Sequence, residues 1–281
     1  MAEGRVDIAA PIDRSVDLSS RAGLLVTLHD GHISLGPDVR VEEDFVRQLW
    51  ELASVVAEPI SQNGQRVEYR MLNGVRAEQD THLADRELRY ELTAMSGAAI
   101  GWEAAKTAGH VHVRPADGDL GYPEIVEVLH GEAGFLIQDL SVRPEGPHSS
   151  KAWLVRARAG DWVVLPPELA HVTVDLGAGP LVFSDVIDRR AAGVYSDVAD
   201  AQGFSWYVGA GGELRANERY ARPPRLEECE ATEWSGPAGG SLYSAFRDDP
   251  ASFSWLSEPT RFPSAAPMVW HRVSGLLDTT D

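Results

Sequence analysis

Residues 109–114 read GHVHVR and residues 160–171 read GDWVVLPPELAH, and these two stretches decide the fold. On an extended strand, positions i and i+2 point to the same face, so His110 and His112 project side by side from the first stretch. The second stretch has a glycine, five residues and a proline, and it ends in His171, five positions after that proline. The pattern predicts two strands whose histidines face one site.

A carboxylate, Glu124, lies between the two stretches and is followed by six residues and Gly131, which closes a predicted hairpin. Strands of a barrel can bring this carboxylate together with the three histidines. Such a set suits one divalent first-row metal ion per chain, with Fe, Mn, Ni and Zn all open. Because Cys229 is the only cysteine, a structural zinc site with thiolate ligands is not available. The alternative is a set of hydrogen-bonded histidines inside a barrel.

Short β-rich runs follow one another through residues 86–210 and are divided by turn signals such as PADGD and AGD. No long amphipathic helix interrupts them, which favours an antiparallel sandwich or barrel over a parallel α/β sheet. The runs are LRYELTAM, HVHVR, EIVEVLHG, GFLIQ, AWLVRAR, WVVL, HVTVDL and LVFSDVI.

Residues 1–85 are predicted to form an N-terminal arm, one helix and short strands that pack on the barrel of residues 86–210. The helix is predicted from Phe45, Leu49, Leu52 and Val56, which recur at i, i+4, i+7 and i+11 as one apolar stripe.

Residues 211–281 are predicted to form a C-terminal extension that wraps the barrel, since the segment is rich in Pro and Gly and carries three tryptophans. Short helices are predicted within SLYSAFRDD and PASFSWL, the second with Asp249 as N-cap before Pro250.

Charge and composition exclude several classes of protein. The 281 residues carry a formal net charge of -18, which argues against nucleic acid or an anionic membrane as partner, because both need a basic face. One cysteine allows no intramolecular disulfide. The first 20 residues lack the apolar core of a signal peptide, and no run reaches the roughly 18 apolar residues of a membrane helix. We therefore expect a cytoplasmic protein.

The spacing of these motifs resembles the metal-binding cupin signature, G…H-x-H…E-x(6)-G followed by G-x(5)-P-x-G-x(2)-H-x(3)-N. Here Glu168 stands at the second glycine of the latter half and Asp175 at the asparagine, and the spacer between His112 and Glu124 is longer than usual. The resemblance covers about residues 85–190. It implies an all-β fold, the cupin double-stranded β-helix barrel (jelly roll), with an N-terminal arm and helix and a C-terminal extension with short helices.

Within the cupins, residues 65–226 resemble the archaeal-type, metal-dependent glucose-6-phosphate isomerase family. The strings KTAGHVHV, YPEIVEVLHGEAGFLIQD and GELRANERYARPPRL carry this resemblance. It implies one divalent metal ion, a small sugar phosphate as substrate and a homodimer. The metal ligands that it implies are His110, His112, Glu124 and His171.

The same resemblance implies roles for further residues. Glu124 matches the carboxylate that moves the proton between C1 and C2. Thr93, Thr107 and Gly109 match positions that hold the sugar phosphate, and Tyr69 matches a further tyrosine at the phosphate.

One segment departs from the family pattern, which has A-G-H-D-Y after the last barrel strand. Here the text is RRAAGVY, in which Tyr195 survives as a candidate catalytic residue and the histidine has no counterpart. A second family tyrosine, near Ile187, is also missing. The departure bears on the identity of the substrate more than on the binding of the metal.

The positions of three further residues relative to the predicted site are also expected from the sequence. Glu127 is predicted to lie on the face opposite Glu124, at the surface. Asp185 either points inward or serves the structure, and Trp102 is predicted to lie close enough to the site to line it.

The function predicted from the sequence is interconversion of glucose 6-phosphate and fructose 6-phosphate by metal-assisted proton transfer. Two alternatives stay open at this point: a divergent metal cupin that acts on another sugar phosphate or a secondary-metabolite precursor, including Fe(II)/O₂ chemistry, and a non-catalytic sugar-binding cupin.

Overall fold

Two β-sheets form the body of the computed structural model, which describes residues 15–60, 64–116, 118–235 and 240–277. The strands are β1 (Ser15–Asp17), β2 (Val26–His29), β3 (His32–Leu35), β4 (Val39–Arg40), β5 (Glu43–Gln48), β6 (Val67–Asn73), β7 (Arg76–Ala77), β8 (Leu88–Met95), β9 (Val111–His112), β10 (Glu124–His130), β11 (Glu132–Gln138), β12 (Ser141–Arg143), β13 (Gly146–His148), β14 (Ala152–Arg158), β15 (Trp162–Leu165), β16 (Ala170–Asp175), β17 (Leu181–Asp188), β18 (Gly193–Val194), β19 (Trp206–Val208), β20 (Leu214–Ala216) and β21 (Leu226–Glu230).

Helices are few and short. They are α1 (Ser19–Ala22), α2 (Ser196–Asp200), α3 (Leu242–Asp248), α4 (Phe262–Ala265) and α5 (Pro267–Leu277). Five 3₁₀ turns are also described, at Leu49–Leu52, Thr81–Leu83, Ala231–Glu233, Pro250–Leu256 and Pro259–Arg261. Within the described ranges, no helix has both the length and the apolar character needed to cross a membrane.

The larger sheet has six strands in the order β15-β10-β17-β8-β6-β5, and every pair in it is antiparallel. The smaller sheet has the order β16-β11-β14-β21, with only β14 and β21 parallel. One continuous apolar core includes inward side chains of both sheets. This is the cupin double-stranded β-helix, so the predicted all-β fold class is confirmed.

The predicted β-rich runs each contain a strand, but the apolar stripe of Phe45, Leu49, Leu52 and Val56 does not form a helix. Phe45 lies in β5, Leu49 and Leu52 lie in the 3₁₀ turn Leu49–Leu52, and Val56 lies in a bend beyond it, so the helix prediction is wrong. Pairing of β5 with β6 supplies the backbone hydrogen bonds that a helix would otherwise make. The leucines are still buried, because the 3₁₀ turn brings both of them against the core.

The division into three zones remains a prediction, and hydrogen bonding crosses both of its boundaries. Strand β6 pairs with β8, and β21 pairs with β14. The short C-terminal helices are found at α3 and at Pro250–Leu256, although Asp249 makes no side-chain cap hydrogen bond. Helix α5 was not predicted, and it buries Val269, Val273 and Leu277 along one face.

The C-terminal extension covers the outer face of the six-stranded sheet, where α3 contacts β17. The carboxylate of Glu127 lies beneath it and accepts a 2.6 Å hydrogen bond from the backbone N–H of Leu242. Burial raises the pKa of Glu127 to about 7. Glu127 is therefore on the face opposite Glu124, but the expectation that it is a surface residue is wrong, because the extension was not foreseen to cover it.

A buried hydroxyl ties the extension to the rest of the fold. Tyr243 Oη lies 2.5 Å from Asp80 Oδ2 and accepts a 2.8 Å hydrogen bond from Ala77 N. We expect Tyr243→Phe to lower the free energy of unfolding by about 1–3 kcal/mol, since it leaves a buried N–H without a partner. Urea denaturation measures this, with Met268→Leu at an exposed position as control. A change below about 0.5 kcal/mol in Tyr243→Phe would contradict this interpretation.

Candidate metal centre

Three histidines converge at one end of the space between the two sheets. His110 and His171 face each other in a two-way backbone pair, with N–H to oxygen distances of 3.1 and 2.9 Å. His112 follows on β9, and its Nε2 lies 3.0 Å from Nε2 of His110. One nitrogen from each of the three rings lies within 4.8 Å of the others.

The second ring nitrogen of two histidines is held by the backbone. Nδ1 of His112 lies 3.0 Å from the carbonyl oxygen of Tyr122, and Nδ1 of His171 lies 3.3 Å from that of Leu169. When Nδ1 donates its proton to a carbonyl, the lone pair of Nε2 faces the site. Nε2 of His171 is buried and has no hydrogen-bond partner among the described residues. This donor set fits a divalent metal ion.

Glu124 begins β10 and faces two of the three histidines. Its Oε2 lies 3.6 Å from Nε2 of His112 and 3.6 Å from Nε2 of His171. Burial lowers the pKa of His112 to about 4 and that of His171 to about 3, so both rings are neutral near pH 7 and able to act as ligands. Burial and then the nearby Glu91 raise the pKa of Glu124 to about 8. A bound cation favours the ionised carboxylate and opposes that shift.

The long spacer before Glu124 is held by Glu168, which stands where the cupin signature has glycine. Its φ of 64° lies in the left-handed region that favours glycine. The carboxylate of Glu168 accepts a hydrogen bond from Gly121 N at 2.5 Å and from Arg114 Nε at 2.9 Å. These bonds offset the strained backbone and anchor the loop that leads to Glu124.

A cavity of about 230 Å³ opens in front of the histidines and is lined by both sheets. The side chains that line it include Tyr69, Thr93, Thr107, Glu124 and Tyr195 as well as the three histidines, so eight of the nine site residues predicted from the sequence meet there.

Gly109 is not among the residues that line the cavity. Its φ is 73°, and a Cβ at this position would lie 2.6 Å from a ring carbon of Phe204. Glycine is therefore required at position 109 by the backbone conformation and by the packing of Phe204. A hydrogen bond from its backbone N–H to a ligand stays a prediction.

Arg47 lies beside two of the residues that line the cavity, Tyr69 and Tyr195, and the sequence analysis missed it. Its Nε donates to the Tyr69 hydroxyl at 3.3 Å, and that oxygen also accepts from Ala108 N at 3.4 Å. Its guanidinium carbon lies 5.7 Å from the ring centroid of Tyr195. Arg47 belongs to the segment predicted as a helix. On a strand, Phe45 and Arg47 are two positions apart, so both side chains point to the face of the sheet that lines the cavity.

Two acidic residues, Glu91 and Asp185, also line the cavity, which decides the open question about Asp185: it points inward. Glu91 was not singled out from the sequence, where it is one carboxylate in an otherwise apolar strand. Trp102 does not line this cavity. It lies 3.7 Å beneath the guanidinium carbon of Arg215 at a separate surface depression, so the prediction that it lines the site is wrong.

We expect His112→Ala to weaken metal affinity by at least about 100-fold, because it removes a ligand whose tautomer is already fixed by Tyr122. Elemental analysis after dialysis against a limiting chelator measures the bound metal, and His148→Ala, at an exposed position, is the control. Stoichiometric metal in folded His112→Ala would exclude His112 as a ligand.

Comparison of the sequence with known proteins finds a matching family and several relatives. A family model for glucose-6-phosphate isomerase (GPI) matches residues 46–225. The glucose-6-phosphate isomerase of Pyrococcus furiosus is 30% identical over 122 residues, which are 43% of this chain and 57% of that protein. The one from Thermococcus gammatolerans is 30% identical over 130 residues, which are 46% of this chain and 61% of that protein. The chain thus spans about three fifths of the length of these relatives.

Among solved structures, the oxalate decarboxylase of Lactobacillus farciminis in complex with formate has a TM-score of 0.31 and 16% identity, over 45% of this chain and 30% of that chain. A likeness of this extent carries no argument about function. The family match extends over more than half of the chain and includes all four predicted metal ligands. The chain belongs to the glucose-6-phosphate isomerase family.

Proposed function

We propose that this protein is a metal-dependent aldose–ketose isomerase that interconverts glucose 6-phosphate and fructose 6-phosphate. The observation that carries the proposal is the placement of Glu124 beside three convergent imidazoles in one cavity with several hydroxyl groups. A carboxylate, a metal centre and a polar pocket are the parts that proton transfer next to a sugar carbonyl requires. The family to which the chain belongs supports the same reaction.

The residues that would hold the metal ion are His110, His112, Glu124 and His171. When bound, the ion would act as a Lewis acid and stabilise negative charge that develops on the oxygens at C1 and C2 of the sugar. Neutral imidazoles and one carboxylate suit Fe, Mn, Ni and Zn alike.

In this proposal Glu124 moves the proton between C1 and C2. It lies at the start of a strand that pairs on both sides, so its position is fixed by the sheet. Its burial strengthens it as a proton acceptor, because an unsolvated carboxylate holds a proton more tightly. A single carboxylate can take the proton from one carbon and return it to the adjacent one with little movement.

The opposite end of the cavity is proposed to hold the phosphate. Thr93 Oγ1 is buried with no hydrogen-bond partner among the described residues, so it is free to bind a ligand oxygen. Thr107 Oγ1 accepts a 3.1 Å hydrogen bond from Thr173 N, which leaves its own proton to be donated. Tyr69 adds a third hydroxyl group and Arg47 adds a positive charge. The Gly109 N–H completes the set that the family resemblance implies.

Tyr195 lies where the sugar would enter. Its ring centroid is 5.2 Å from that of His110, and 43% of the residue is exposed. We assign it the positioning of the open-chain sugar against the metal centre. The cation of Arg47 on its other side favours a fixed ring orientation.

We expect Glu124→Gln to lower kcat by about 10²- to 10⁴-fold and to change KM much less, because the amide cannot accept the proton. Conversion of fructose 6-phosphate to glucose 6-phosphate measures both constants, with metal content determined on the same sample. The control is Glu132→Gln, at a partly exposed position outside the cavity. Near wild-type turnover by metal-loaded Glu124→Gln would exclude the proton-transfer role.

We expect Arg47→Gln to raise KM for fructose 6-phosphate by about 10- to 100-fold, the loss of one charge-assisted hydrogen bond to the phosphate. Steady-state kinetics measures the change, and Arg70→Gln is the matched control. Arg70 lies on the neighbouring strand and pairs with Asp44 on an exposed face. Equal KM values in the two variants would remove Arg47 from the phosphate site.

A further inference from the structure

Two carboxylates face each other on the floor of the cavity and have no part in the reaction described above. Asp185 on β17 is the direct cross-strand partner of Glu91 on β8, so both side chains lie on the same face of the sheet. Both residues line the cavity and are buried, with 3% and 4% of their surface exposed. Like charges directly opposite one another destabilise a sheet unless a positive charge compensates for them.

The partners of these acidic residues differ. Glu91 pairs with Arg89, whose Nε donates to its Oε1. Glu124 is assigned to the metal ion. Asp185 is left over: its Oδ1 is buried and has no hydrogen-bond partner among the described residues. A buried carboxylate without a partner is costly.

The register of the sheet places this carboxylate between the two ends of the cavity. Asp185 lies opposite Val126, which is two residues beyond Glu124 on the same face of β10. Glu91, its partner on the other side, is two residues before Thr93 on the same face of β8. Two residues correspond to roughly 6–7 Å along a strand. The acidic pair therefore separates the metal end from the phosphate end.

We propose that Asp185, supported by Glu91, binds an ammonium group on the substrate, and that the preferred substrate is an aminodeoxyhexose 6-phosphate. This inference rests on the proposed isomerase function. An ammonium group brings one positive charge and three N–H donors, whereas a sugar hydroxyl brings one donor and no charge. C1 and C2 react at the metal end and C6 carries the phosphate at the other, so the amino group belongs on a carbon between them, and C3 and C4 are the positions tested.

A second metal ion is the competing occupant of this position. Among the described residues, the group whose ligand atoms converge within 4.8 Å consists of His110, His112 and His171, and it includes neither acid. Because Arg89 already pairs with Glu91, the two residues offer a metal ion only one free carboxylate. One unpaired carboxylate matches one ammonium group better than a divalent cation.

The test compares kcat/KM for 3-amino-3-deoxyglucose 6-phosphate and 4-amino-4-deoxyglucose 6-phosphate with kcat/KM for glucose 6-phosphate. The wild-type protein is expected to prefer one of the amino sugars, and Asp185→Asn is expected to reduce that preference by about 10- to 100-fold. The control is Asp175→Asn. Asp175 is another buried aspartate with one unpartnered oxygen, but the residue does not line the cavity. This variant is expected to keep the wild-type preference.

A second variant covers the case in which Asp185→Asn does not fold. Glu91→Gln releases Arg89 to pair with Asp185, so it is expected to reduce the same preference while Asp185 itself is unchanged. Unfolding curves and metal content are measured on every variant, so that a change in preference is not confused with loss of the fold.

Four other outcomes have distinct meanings. Turnover with no preference for an amino sugar, or a preference that both variants retain, overturns the inference and leaves the isomerase proposal standing. No turnover of any sugar, with calorimetric binding of an amino sugar phosphate that Asp185→Asn weakens, overturns the isomerase proposal and supports the ammonium site. Neither turnover nor binding overturns both. A second equivalent of divalent metal that Asp185→Asn loses also overturns the inference.

Discussion

The backbone pair between His110 and His171 is the constraint on which the rest of the site depends. It joins the short strand β9 to the edge strand β16, and it thereby holds three imidazoles against one another before any ion binds. The carbonyls of Tyr122 and Leu169 set the ring orientation, and burial keeps the rings neutral. The site is thus arranged for a cation by its backbone, and the sheet behind it needs only to supply Glu124.

Strands β10 and β17 of that sheet are buried on both faces, which explains how charged groups are distributed along them. The inner face carries Glu124 and Asp185, and the outer face carries Glu127 beneath the C-terminal extension. Each acid needs its own compensation in a medium of low dielectric. Glu127 receives a backbone N–H and Glu124 faces the metal centre, whereas Asp185 has a free oxygen in the cavity. In our account a substrate supplies what this last group lacks.

The sequence predicts the strands, and the shared face of His110 and His112, because both depend on short-range patterns. The addition of Glu124 and His171 to that face came from the resemblance to the cupin signature. An H-x-H pair and alternating apolar residues have the same meaning in any sheet. The helix over Phe45 to Val56 failed because the same stripe also suits an edge strand followed by a 3₁₀ turn, and only pairing with β6 decides between them. Arg47 was missed for that reason. Glu91 and Glu127 were missed or misplaced because their burial depends on strands and helices distant in sequence.

The most direct test of the central claim is conversion of fructose 6-phosphate to glucose 6-phosphate by chelator-stripped protein, before and after anaerobic addition of Mn(II), Fe(II), Ni(II) or Zn(II). We expect no turnover in the stripped protein and restored turnover with at least one of these ions, and we expect His112→Ala not to recover under the same conditions. Turnover that persists in fully stripped protein, or no turnover with any ion in folded and metal-bound protein, would contradict it.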